Sequence, residues 1–229
     1  ATFHTFNVMY NSMPRVNYLF WTIILLISIT IGSFLTYALI QTEVDWNWAV
    51  YFNSHEIWVF AASPFVILGM IVPLLIPLYY FVKFKKSNSH IHFTQYKRAL
   101  FTFITSYILM TILKVFTNRI DMEPFEPIGL VDISNQFRFG FMNSNSWWES
   151  FSEGWPSGHT MIAVSMAIAI NPLIERKQIK WINWLYAILV SISVSTAFHW
   201  LSDIIAGGLI GIVIGLFYSR YDFNERSLS

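Results

Sequence analysis

Long apolar blocks, each with the length needed to cross a bilayer, leave few folds open to this chain. Six are read, over about 17 to 40, 57 to 82, 99 to 117, 157 to 174, 181 to 199 and 202 to 219, and roughly 30 Å of hydrocarbon needs about 20 residues at 1.5 Å each. A backbone in hydrocarbon must satisfy its own polar groups, so these blocks are expected to be helices. The expected fold class is all-α: a polytopic membrane protein with six transmembrane helices in one bundle over residues 17–219, preceded by an interfacial segment, 1–16, and followed by a cytoplasmic tail, 220–229. Composition agrees, because the 229 residues are 55% hydrophobic and only 12% charged, about half the usual charged fraction. A soluble globule, a disordered chain, a collagen and a nucleic-acid-binding protein are excluded together. The absence of cysteine excludes disulfides and thiolate metal sites.

Charge placement orients the bundle. Eleven of the 14 Lys and Arg, including Lys83, Lys85, Lys86, Lys97, Arg98, Arg176 and Arg220, fall on one face, which the positive-inside bias makes cytoplasmic. Ten of the 13 acids lie on the other face, with Trp46, Trp48, Trp147, Trp148, Trp155 and Trp200 at interface depth. Both termini are therefore expected in the cytoplasm. Three cations, Lys114, Arg119 and Arg138, stand against the bias, and such residues pair with acids or bind something anionic.

Chemistry-bearing residues gather at that outer face. In Trp155-Pro156-Ser157-Gly158-His159-Thr160 a polar loop gives way to an apolar run. Pro156 and Ser157 suit a helix opening and Gly158 admits close approach to the backbone, so free N–H groups and the positive dipole end would make an anion site with His159 in its first turn. In His199-Trp200-Leu201-Ser202-Asp203 the imidazole and the carboxylate are four residues apart, stacked on one face if this stretch is helical. Such a carboxylate fixes the ring tautomer and leaves the other nitrogen free as nucleophile or base. Lys114 and Arg119, leaving the third span, are the kind of cations that clamp phosphoryl oxygens. A metal is the rival use of two histidines and an acid, but the adjacent cations would repel it, so the expected metal and cofactor content is none.

The intact Pro156-Ser157-Gly158-His159 and His199-x3-Asp203 motifs, with 40 residues between the histidines, resemble those of the type 2 phosphatidic acid phosphatase superfamily in its bacterial six-span lipid phosphatase branch. The likeness runs from about 99 to 219. It implies a metal-free mechanism: His199 attacks phosphorus to give a phosphohistidine, Asp203 holds its ring, His159 protonates the leaving oxygen, and Lys114, Arg119, Ser157 and the Gly158 amide hold the phosphoryl group. Two departures stand out. Seven residues after Lys114, where the family has Arg before Pro, this chain has Asp121 and Met122, and six residues before His199, where the family has Arg, it has Ser193. Arg138 is the candidate replacement.

The implied function is a membrane lipid phosphatase that removes phosphate from a lipid phosphate or pyrophosphate at the periplasmic face of a bacterial inner membrane. Its partners would be that lipid and the bilayer, with no nucleic acid. Transfer of the phosphoryl group to a second lipid stays open, as does a non-catalytic lipid-headgroup binding or transport protein. A conduit, however, should carry ionisable groups through the bilayer midplane, and the candidate groups here sit at one end.

Overall fold

The computed structural model describes residues 17–122, 132–140, 154–221 and 223. The expected interfacial segment 1–16 and most of the tail lie outside them, as do Trp147, Trp148 and the loop acids Glu123, Glu126, Glu149 and Glu153. The described residues form an all-α bundle: α1 Tyr18–Gln41, α2 Val44–Asn53, α3 Glu56–Ser87, α4 His90–Thr117, α5 Gly158–Ile170 with a 3₁₀ turn at Asn171–Leu173, α6 Lys177–Ala197 and α7 Leu201–Arg220. Five of these, α1, α3, α4, α6 and α7, are long and apolar enough to cross a membrane, and the chain is an integral membrane protein.

The expected span at 157–174 is the exception. Its α-helix has 13 residues, about 20 Å of rise, and ten of them are buried, from Gly158 to Ile170. Its surroundings explain the length, since α5 packs against α7, α4, α6 and α3 and is sheathed by protein, so it need not match the hydrocarbon thickness. Met161, Met166, Ile210 and Ile214 of α5 and α7 form the centre of the main core.

The outer helices show the pattern of a chain solvated by lipid. On α1 only Ser28, Gly32 and Thr36 are buried, a small and polar stripe, while Leu19, Leu26 and Phe34 are exposed. Apolar tails compete for large side chains, so close approach of small residues drives packing there. On α4 Ala99, Thr102, Ser106 and Met110 face inward, and Ser106 and Ser165 share a hydrogen bond of 2.7 Å across the α4–α5 interface.

α2 was not expected from the apolar blocks. It follows a left-handed turn at Glu43 (φ 56°) and lies over the end of the bundle where α4 finishes and α5 and α7 begin, with the Trp48 indole donating to the Ser195 carbonyl at 2.9 Å. At the opposite end α3 and α4 extend beyond the apolar blocks and meet at Asn88, a left-handed cap (φ 46°). There Lys97 donates to the Phe223 carbonyl.

Candidate active site

Each cue from the sequence reaches one end of the bundle. α4 carries Lys114 in its last turn and ends at Asn118, whose left-handed backbone (φ 44°) turns the chain. The following segment is braced by a short antiparallel pairing: Arg119 bridges Phe137, Ile120 N–H donates to the Gln136 carbonyl at 3.1 Å, and Arg138 N–H donates to the Asn118 carbonyl at 3.1 Å. α5 opens at Ser157. The preceding Trp155 is pinned on both sides, its indole donating to Thr36 Oγ1 at 2.9 Å and its carbonyl accepting from Thr117 Oγ1 at 2.9 Å.

The His159 and His199 rings lie with centroids 6.4 Å apart and planes tilted by 58°, close enough for both to reach one phosphoryl group. His159 rests on Gly69 of α3, where an added Cβ would lie 3.2 Å from the ring. Its Nε2 is buried without a hydrogen-bond partner, as are Ser157 Oγ and Asp203 Oδ2. The buried Lys114 ammonium lies within electrostatic reach of the His159 ring. Helix geometry gives the first amides of α5 no partner within the helix, although Ser157 N–H itself donates to the Asp203 carbonyl at 3.1 Å.

Three placements differ from the sequence expectation. His199 is not in a helix with Asp203: α6 ends at Ala197 and α7 starts at Leu201 with Trp200 as an extended N-cap, so the pair meets across a break. His199 Nδ1 lies 3.0 Å from Asp121 Oδ1 and 3.8 Å from Asp203 Oδ2, so Asp121 is its nearer carboxylate. Arg119 is fully buried, and its five N–H donors are all engaged: Nε and Nη2 donate to the Ser134 carbonyl, Nη1 to Ser202 Oγ and Asp203 Oδ1, and Nη2 also to Asp45 Oδ2. It braces the site from behind, with no donor left for a phosphoryl oxygen. Gly158 also has a packing neighbour: an added Cβ would sit 2.0 Å from Met110 Sδ, so that side chain would have to move aside.

Asp45 on α2 escaped the sequence reading. It is fully buried and accepts Ser202 N–H at 2.9 Å and Ser202 Oγ at 2.5 Å as well as Arg119, so it caps α7 across a separation of 157 residues. No local signal marks such a partner. Arg138 is half-buried; Phe137 and Phe139 stack on one side of the short pairing and Phe137 lies under the Arg119 guanidinium, so alternation puts Arg138 on the other side. Among the described residues no hydrogen bond or ion pair joins its side chain to the histidines. Asp121, His199 and Asp203 each offer a ligand atom within 4.8 Å of the others, which is the one cluster a cation could use among the described residues, but Asp203 already holds Arg119 and Asp121 holds His199.

Kinship is decided by a family model, described as the PAP2 superfamily, that matches residues 95–227, more than half of the chain. The chain belongs to the PAP2 superfamily. No curated protein and no solved structure matches it. PAP2 proteins are phosphatases acting on phosphate esters, often lipids, and this PAP2 chain is accordingly a phosphoester hydrolase. Against the PAP2 motifs, the first-motif arginine position holds the carboxylate that meets His199, and Ser193 at the third-motif position is a buried α6 residue.

Proposed function

We propose that this protein removes a phosphate from a membrane lipid phosphate or pyrophosphate at the outer, periplasmic face through a phosphohistidine. The observation that carries the reading is the pair of neighbouring histidines at the N-terminus of α5, one with a carboxylate on Nδ1 and the other with an unpartnered Nε2 in a protein-lined site. The Nε2 lone pair of His199 forms a bond to phosphorus while the bond from phosphorus to the lipid oxygen breaks, and His159 gives its proton to that oxygen. Water then attacks phosphorus, its proton passes to His159, the phosphorus–nitrogen bond breaks and phosphate leaves. Lys114, the Ser157 hydroxyl and the Gly158 amide hold the phosphoryl oxygens, Arg138 is the remaining candidate cation, and Arg119 and Asp203 act by holding the framework. A largely apolar cavity of about 350 Å³ at the same end of the bundle, lined by Thr36 and Tyr37 of α1, Thr117 and Trp155 and by Phe137 and Phe139, gives a lipid chain a place to lie.

Chemical quench on purified protein with a radiolabelled lipid phosphate tests this. His199→Ala should lose both turnover and the acid-labile phosphoenzyme. His159→Ala should form the phosphoenzyme slowly from lipid alkoxides but much faster from p-nitrophenyl phosphate, whose leaving group departs without a proton, and should then accumulate it, because the attacking water has lost its base. A phosphoenzyme trapped in His199→Ala would reverse the two roles, and turnover lost to EDTA and restored by a divalent cation would replace the mechanism.

A further inference from the structure

We propose that Asp121 is the positioning carboxylate of the nucleophilic His199, and that Asp203 belongs instead to the Arg119 brace. The proposal rests on His199 being the nucleophile. Asp121 Oδ1 lies 3.0 Å from Nδ1, inside the range of an N–H···O bond, whereas the nearer Asp203 oxygen is 3.8 Å away and outside it. Asp203 is not free to close that gap, because its other oxygen is held by Arg119, and Arg119 is in turn fixed by Asp45, Ser202 and the Ser134 carbonyl.

The backbone shows the same division. The Trp200 indole donates to the Ile120 carbonyl at 2.8 Å, so the neighbours of His199 and of Asp121 are tied directly, and Ile120 N–H is anchored to Gln136. Met122 on the other side of Asp121 is buried in one cluster with Trp200 and Ala49. Asp121 is therefore delivered to the ring by a segment held at both ends. A carboxylate here would repel a phosphoryl dianion, so its place against the ring calls for a role: accepting Nδ1–H fixes the tautomer that leaves the Nε2 lone pair free, and the carboxylate meets the positive charge that develops on the ring as phosphorus bonds.

The test uses the full chain in detergent, with phosphatidate as the probe, and compares Asp121→Ala, Asp121→Glu, Asp203→Asn and His199→Ala. Asp121→Ala should slow phosphoenzyme formation by about 10²- to 10⁴-fold with KM nearly unchanged, and should move the His199 ring-nitrogen chemical shifts toward the opposite tautomer. Asp121→Glu should regain part of the rate. Asp203→Asn should leave those ring shifts in place while lowering the unfolding temperature. Ring shifts and phosphorylation rate unchanged in Asp121→Ala, or a tautomer change in Asp203→Asn alone, would overturn the assignment. Phosphoenzyme persisting in His199→Ala would instead overturn the reading on which it rests.

Discussion

Arg119 shows how a residue of the expected type can serve a different end. Its guanidinium is sandwiched between Phe137 and Trp200, with centroids at 5.2 and 5.5 Å, and joins Asp45 to Asp203 with no solvent exposure at any of the three. Removing one member of a buried ionic set leaves unpaired charge, so Arg119→Ala should cost about 3–5 kcal/mol, read as a lowered thermal midpoint for the purified protein; a loss below about 1 kcal/mol, the worth of an exposed pair, would show that the two carboxylates are solvated. Gly158 invites a paired experiment. Gly158→Ala should damage folding and activity because of Met110 Sδ, and Met110→Ala in the same chain should restore much of both, whereas a glycine needed for close approach of a phosphoryl group would stay impaired in the double variant. At this scale the gathering of His159, His199 and Asp203 at one end of the bundle was legible from their motifs, but which carboxylate meets the ring was not. The Asp121–His199 and Asp45–Arg119 contacts were not, since they join residues 78 and 74 positions apart and leave no periodic trace.

The site is carried by two helices whose backbones nearly touch. On α7 Gly207, Gly211 and Gly215 repeat every four residues, and an added Cβ would lie 2.5 Å from the Ser157 carbonyl oxygen, 2.7 Å from that of Met161 and 2.8 Å from that of Ser165. This is small-residue packing of the kind that lets membrane helices approach, and it sets the depth of His159 against Asp203. Gly211→Ala should therefore destabilise the protein by about 1–3 kcal/mol and reduce turnover, while Gly208→Ala, whose nearest neighbour is Thr160 Cγ2 at 3.9 Å, should be tolerated; equal behaviour of the two in detergent unfolding would refute the packing account. Five long helices were readable from hydropathy alone because lipid demands it along their whole length. α2 was not readable, as ten residues mixing Trp, Asp and Asn carry no apolar block. The first turns of α4 were hidden for a related reason: His90 to Arg98 is helical but polar, and hydropathy detects the bilayer, not the helix.

Across the whole molecule, the charge asymmetry makes a prediction that the cysteine-free sequence renders simple to check. Ser54→Cys, at the site end beside α2, should react with a membrane-impermeant maleimide in intact cells, and Ser87→Cys, next to Lys85 and Lys86, should react only after permeabilisation; the reverse pattern would turn the protein over. Asp45 carries a different lesson about where such an enzyme can be divided. The PAP2 match begins at residue 95, yet the cap on α7 and half of the brace on Arg119 come from α2, and the surface under His159 comes from α3. The boundary of kinship thus cuts through a cooperative unit. A fragment trimmed to the matched region should be inert, whereas two pieces parted at the Asn88 turn and produced together should find each other in the membrane and recover activity, as halves of one catalyst whose ancestry is written in only one of them.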